Sequence, residues 1–204
     1  MGRHASDKAT GFKDVAPGTY LARSFRIIDI GTHHGDYQGK PNVRNQFVLQ
    51  WELPTETIEV DGIAKPMVVS RFYTNSLVPK SNLLRDLTAW RAREFTEEEL
   101  KGFDLETILN KPCIVTIGHK ESGKTGVIAV GPPMKGTVCP PLFNKAEAFW
   151  IEEWSQETFA ALPQGFRDLI VKSDEYAAMS GPTPQGRMQS RPNNDADDND
   201  DIPF

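Results

Sequence analysis

Apolar and polar positions along the chain change period several times, and each change marks an element. From Gly18 to Ile30 a run rich in β-branched and aromatic residues ends at Gly31, which predicts a strand. Thr32 to Arg44 has no periodic apolar face and is punctuated by Gly35, Gly39 and Pro41, so a loop is expected there. Asn45 to Leu53 alternates cleanly, with Phe47, Leu49, Trp51 and Leu53 on one side and Gln46, Gln50 and Glu52 on the other. Alternation of that kind sends every second side chain to one face of a strand. A further polar loop through Asp61-Gly62 leads to a third strand, Met67 to Thr74, with Met67, Val69, Arg71 and Tyr73 sharing a face.

Helical spacing replaces alternation between Ser81 and Arg93, where Leu83, Leu84, Leu87 and Trp90 recur on one side and Ser81 or Asn82 can cap the first turn. Thr96-Glu97-Glu98-Glu99 has the form of a capping box and predicts a second, short helix with Leu100 and Phe103 as its apolar face. Cys113 to His119 and Gly126 to Val130 are two more apolar strands, joined by Lys120-Glu121-Ser122-Gly123-Lys124, which has hairpin chemistry. Three strands, a helix and two strands is the order of an OB-fold, a small barrel used widely for oligonucleotide binding. The expected fold is mainly β with accessory helices: an OB-fold five-stranded barrel over residues 12–133, preceded by a flexible N-terminus, 1–11.

Beyond Pro132-Pro133 the apolar residues Trp150, Trp154, Phe159, Leu162, Phe166, Leu169 and Ile170 predict a helical extension, 134–179, packed on the barrel. From about Ser180 Gly, Pro, Gln, Ser, Asn and Asp take over, and such a segment buries too little apolar area to offset its ordering entropy. Residues 180–204 are therefore expected to form a disordered acidic tail. That tail changes the meaning of the net charge of −5, because Asp195, Asp197, Asp198, Asp200 and Asp201 lie within it. Without them the acidic residues just balance the 23 Lys and Arg, and the body is neutral. No apolar run approaches the roughly 20 residues that cross a bilayer, and the first residues lack a secretory pattern, so a cytoplasmic protein without membrane contact is expected. Cys113 and Cys139 read as two reduced thiols, and no cofactor or metal is expected.

The sequence closes on Asp200-Asp201-Ile202-Pro203-Phe204. A partner could hold the Phe204 ring in an apolar pocket and its carboxylate with basic or backbone donors, while the aspartates steer the segment to a basic rim. This ending resembles that of bacterial single-stranded DNA-binding proteins, whose acidic Asp-Asp-Ile-Pro-Phe tails bind replication, recombination and repair enzymes. Asn199 interrupts the acidic run. The body differs from the bacterial proteins. It is similar instead to phage-encoded single-stranded DNA-binding proteins over roughly Phe12 to Pro133, through Arg71-Phe72-Tyr73-Thr74, Ser81-Asn82-Leu83, Asp86-Leu87, Trp90-Arg91, Phe95, Phe103 and Lys111-Pro112-Cys113. The resemblance implies a non-catalytic protein that coats single-stranded DNA and recruits partner proteins through Asp198, Asp200, Asp201, Ile202, Pro203 and Phe204. It leaves room for a homo-oligomer.

Binding a single strand without sequence preference needs cations along the phosphates and aromatic faces for the bases. The candidates are Arg26, Arg44, Trp51, Arg71, Phe72, Tyr73, Lys80, Arg91 and Arg93, with Tyr73 favoured for stacking and Arg71 for a phosphate. Trp51 and Trp90 share faces with aliphatic residues and are expected in the core. Gly118 to Thr125 fits the P-loop pattern, yet Gly-Val-Ile-Ala-Val follows it, which suits a hairpin strand rather than the helix a P-loop requires. His33-His34 with Asp36 suggests a metal site only weakly, since adjacent histidines diverge. The rival reading is a protein–protein adaptor without affinity for DNA.

Overall fold

The computed structural model describes residues 15–181 apart from Gln38, Glu121 and Ser122, so the expected flexible N-terminus and nearly all of the acidic tail lie outside the described residues. Strands β1 (Gly18–Tyr37), β2 (Lys40–Val60) and β3 (Ile63–Thr74) are followed by helices α1 (Asn82–Arg91) and α2 (Glu97–Lys101). Strands β4 (Pro112–His119), β5 (Thr125–Gly131) and β6 (Glu147–Phe149) come next, then helices α3 (Gln156–Ala161), α4 (Gln164–Ile170) and α5 (Asp174–Ser180). The strands form one sheet in the order β3-β2-β1-β4-β5, antiparallel along that path, with β6 added parallel to β1.

Both segments expected as loops are largely strand. Thr32 to Tyr37 pairs with Lys40 to Asn45, and Thr57 to Val60 pairs with Ile63 to Pro66. The second ribbon turns on Asp61 and Gly62, whose φ of 55° and 76° match a tight hairpin turn with the twist that paired strands need. Outer stretches of both ribbons have no apolar core beneath them, so neither face had to be apolar and the alternation that marks strands is missing.

Phe47, Leu49, Trp51 and Leu53 are buried as their alternation predicted, in a core with Ile27, Val115, Ile117, Leu83, Leu87 and Trp90. Gln46, Gln50 and Glu52, on the opposite side of the strand, are buried too. The other face of the sheet carries a second core, in which Ile28, Ile30, Val48 and Phe72 meet Phe149, Ile151, Leu162, Phe166 and Ile170 of the C-terminal extension. That extension also packs Trp154 against Phe159 with ring centroids 4.6 Å apart, and Tyr176 lies 5.4 Å from Trp154. It includes β6, whose three residues are too short to announce a strand by their pattern. This strand takes the edge of β1 at Arg26 to Ile28, beyond the stretch Gly18 to Arg23 that pairs with β4.

The local helix signals are realised. Ser81 caps α1 by accepting from the Leu84 N–H, and Thr96 and Glu99 form the reciprocal capping box of α2. Phe103 packs edge-on against Phe95, but Leu100, expected on the same apolar face, is exposed. A five-residue helix presents too little length to bury a full stripe. Among the described residues no helix is long and apolar enough to cross a membrane.

Gly31 sits at a bulge in β1 with φ of 78°, pressed against the start of α5. A Cβ there would lie 2.6 Å from the Ser173 Cβ and 2.5 Å from a Glu175 carboxylate oxygen. Gly31→Ala is expected to cost about 2–4 kcal/mol, from left-handed strain plus overpacking. Urea unfolding monitored by far-UV circular dichroism checks it, and Gly35→Ala, which meets nothing within 4 Å, is the control.

Candidate nucleic-acid interface

Arg71 and Tyr73 do share a strand face, but that face points into the core beneath α1. Tyr73 is only 3% exposed; it stacks on Phe47 at 5.7 Å and its hydroxyl donates to Asp86 Oδ2 at 2.9 Å. Arg71 is buried beside it, with Nη1 3.0 Å from the same carboxylate oxygen. Phe72 points the other way and packs on Phe166 at 6.2 Å in the second core. None of the three presents a surface to a nucleic acid, which corrects the expectation of stacking and phosphate contact at Tyr73, Phe72 and Arg71. The physical reason is that the end of β3 at Arg71 to Tyr73 is covered on both faces, by α1 on one and by the C-terminal extension on the other. Trp51 and Trp90 lie in the core as expected, 6.3 Å apart, and Trp90 donates to the Pro112 carbonyl at 2.8 Å.

The other cations are dispersed. Arg91 lies over the Phe95 ring at 4.1 Å and is ion-paired with Glu99. Exposed Arg93 donates to the same carboxylate at 2.7 Å. The Arg93 hydrogen bond, the Thr96 N–H and Arg91 together hold the Glu99 carboxyl down to about 2, against an ordinary value of 4.5. Arg26 is paired with Glu147 at 2.7 Å. Arg44 and Lys80 make no ion pair among the described residues; Arg44 lies opposite His33 in the β1–β2 ribbon, and Lys80 is exposed ahead of α1. Thus Arg91 and Arg93 are brought together only around a neutralising glutamate, and Arg26, Arg44 and Lys80 belong to separate places.

Three basic places escape a residue-by-residue reading of the sequence. Lys40 joins Arg44, His33 and His34 in the β1–β2 ribbon, which also carries Asp36. His119, Lys120 and Lys124 cluster at the β4–β5 turn, next to the opposite end of β1, since Gly18 pairs with Ile117. The third is the strap 132–146 between β5 and β6, which carries Lys135 and Lys145 and no acidic residue. Arg23 holds it by donating to the Cys139 carbonyl at 2.8 Å and the Pro140 carbonyl at 2.9 Å. Glu52 accepts from the Phe143 and Asn144 amides at 2.9 and 2.5 Å and from Asn144 Nδ2 at 2.6 Å. A run of fifteen residues without an acid was legible in the sequence, but its place on the sheet was not.

The described surface also has a cleft of about 300 Å³ lined by Asp29, Asn45, Phe47, Asn75, Trp150, Glu152, Glu153 and Glu175. Burial, with Glu175 and Glu152 nearby, raises Asp29 against the hydrogen bonds it accepts from the Gly31 and Ile151 amides. For Glu175 burial acts upward but is outweighed by donors from Thr32 and Asn45, so its carboxyl titrates low. Four carboxylates in one cleft repel phosphate. It is not a nucleic-acid groove.

The P-loop pattern lies in a hairpin, with Thr125 opening β5 and Lys120 N–H donating to the Lys124 carbonyl at 2.9 Å. No helix follows it. His33 and His34 diverge, to the Ile30 carbonyl at 2.8 Å and to Asp174 at 2.7 Å, and no cluster of three metal ligands occurs among the described residues. Cys113 and Cys139 are both free thiols, and burial, followed by the neighbouring Cys139, pushes Cys113 well up. Comparison of the chain with family models, curated proteins and solved structures returned no match.

Asp86→Asn is expected to cost about 3–5 kcal/mol, since it strands the buried Arg71 charge, whereas Tyr73→Phe costs about 1 kcal/mol by deleting one hydrogen bond. Chemical denaturation of the two variants checks the ranking. Glu99 has a folded pKa below its unfolded value, so its contribution is full above about pH 4.5 and is lost as pH falls toward 2. Thermal melts of Glu99→Gln across that window should show a shallower acid dependence than the parent.

Proposed function

We propose that this chain is a single-stranded DNA-binding protein built on an OB-type barrel, with its acidic ending serving to recruit replication, recombination or repair proteins. The observation that carries the reading is the strand path β3-β2-β1-β4-β5 with α1 between β3 and β4. In an OB barrel the same path is closed by β3 meeting β5. Here β3 and β5 approach one another, and α1 packs against both. Barrels of this kind hold oligonucleotides on the face of strands two and three and between the β1–β2 and β4–β5 loops. The two corresponding hairpins are the ones that carry Lys40 and Arg44, and His119, Lys120 and Lys124.

The mechanism is stoichiometric. Lysines and arginines replace counterions along the phosphates, bases stack on exposed apolar surface, and the bound strand is kept from pairing. Asp198, Asp200, Asp201, Ile202, Pro203 and Phe204 then raise the local concentration of partner enzymes. The same aspartates would compete with DNA for the basic hairpins at low salt.

Fluorescence anisotropy with labelled oligo(dT) and duplex DNA at two salt concentrations tests this, using the full chain and a version ending at Asn194. Preference for the single strand is expected for both, with affinity falling as salt rises. Lys40→Ala with Arg44→Ala should weaken binding and lower the salt slope by about 1 or more. Absence of oligo(dT) binding by either version would overturn the reading and favour the adaptor.

A further inference from the structure

We infer that the strap 132–146 is part of the single-strand path and that Phe143 is its base-stacking platform, with Lys135 and Lys145 as phosphate contacts. The inference rests on the proposed single-strand binding and adds a site that the sequence candidates did not include.

Glu52 lies on the sheet face opposite the Trp51 core, in register with Arg23 on β1 and Val68 on β3. Glu52 is 2% exposed, and among the described residues its carboxylate accepts hydrogen bonds from Phe143 and Asn144. A carboxylate is costly to take out of water, so a buried one tied wholly to two adjacent residues fixes where they sit. Arg23 pins the other limb of the strap through Cys139 and Pro140, and Pro140-Pro141 narrows the backbone freedom between the two anchors. Against that fixed backbone Phe143 remains 54% exposed. Among the described residues it is the one aromatic side chain among the exposed large hydrophobic groups, which otherwise are aliphatic residues and methionines.

A ring on a mobile loop would need no account. One held out to solvent on an anchored segment is preorganised to receive a flat partner. Charge selects which partner. In a chain of net charge −5 the strap carries two exposed lysines and no acid, and the carboxylate that anchors it is buried under its own hydrogen bonds. An unpaired nucleotide strand offers both an anion for the lysines and a free base face for the ring. A duplex hides its base faces, and an acidic peptide supplies only the charge. Val68, the cross-strand partner of Glu52 on β3, is exposed as well.

The test uses the full chain and labelled oligo(dT). Phe143→Ala should weaken binding ~10-fold with the salt slope unchanged, since stacking of a base is not ionic. Lys135→Ala with Lys145→Ala should weaken it and lower the slope. Phe143→Trp should keep the affinity and add indole emission that oligo(dT) quenches, beyond the change of the parent protein. Melting temperatures should match the parent, as the ring is not in a core. Parent protein that fails to bind oligo(dT) would remove the proposed function and this site with it. Parent binding that is intact and unchanged in Phe143→Ala, with no quenching in Phe143→Trp, would overturn the stacking platform alone. The platform is equally overturned if Phe143→Ala alters only self-association in sedimentation velocity, which would make the strap a contact between copies.

Discussion

One strand has to serve three neighbours, and the rest of the structure is arranged around how β1 does so. Its first residues pair with β4, most of its length pairs with β2, and the edge beyond Arg23 takes β6. A straight strand of 20 residues could not follow both β4 and β2 around a core, and β1 departs from regular pairing at two places. At the first, Ser24 is buried and ties the bend to the segment before β4, donating its hydroxyl to Ile108 and exchanging backbone hydrogen bonds with Asn110 and Lys111. At the second, Gly31 lets the start of α5 come within contact of the backbone. The two irregularities thereby decide where the α1–β4 connection and the C-terminal helices attach.

Buried and half-buried carboxylates do much of the remaining positioning. Asp86 holds Arg71 and Tyr73 under α1 and pairs with the exposed Arg85 beside it on the helix. Asp29 accepts from the Gly31 and Ile151 amides and so couples the β1 bulge to the end of β6. Glu52 holds the strap. Each is expensive to bury and is matched by donors from a distant segment, so each fixes one connection in one place. An apolar residue at the same position could pack, but it would not choose between neighbouring registers of a loop.

Charge is segregated as a result. Lys40 and Arg44 lie on the β1–β2 hairpin with one acid, Asp36, and Lys135 and Lys145 on the strap with none, whereas Asp29, Glu152, Glu153 and Glu175 share a cleft. A polyanion approaching such a molecule is steered to some faces and turned from others even though the body is neutral overall. Net charge, taken alone, carries none of this information.

What the amino-acid sequence determined by itself is the set of elements with a strong local signal. The alternation of Phe47, Leu49, Trp51 and Leu53, the helical spacing of Leu83, Leu87 and Trp90, the Ser81 cap and the Thr96 capping box are all present, because period and capping act within a few residues. The hairpin at residues 118–125 was legible for the same reason, since glycine and β-branched residues argue locally against a helix. Tertiary structure alone decided what each face meets. Arg71, Phe72 and Tyr73 look like a binding strand until α1 and Phe166 cover both of its sides, and Glu52 looks like a solvated residue until the strap arrives from 91 residues away. Periodicity says which residues share a face; it carries no information about a cover supplied by distant sequence, and at this site the distant cover decides which side chains are left to touch a ligand.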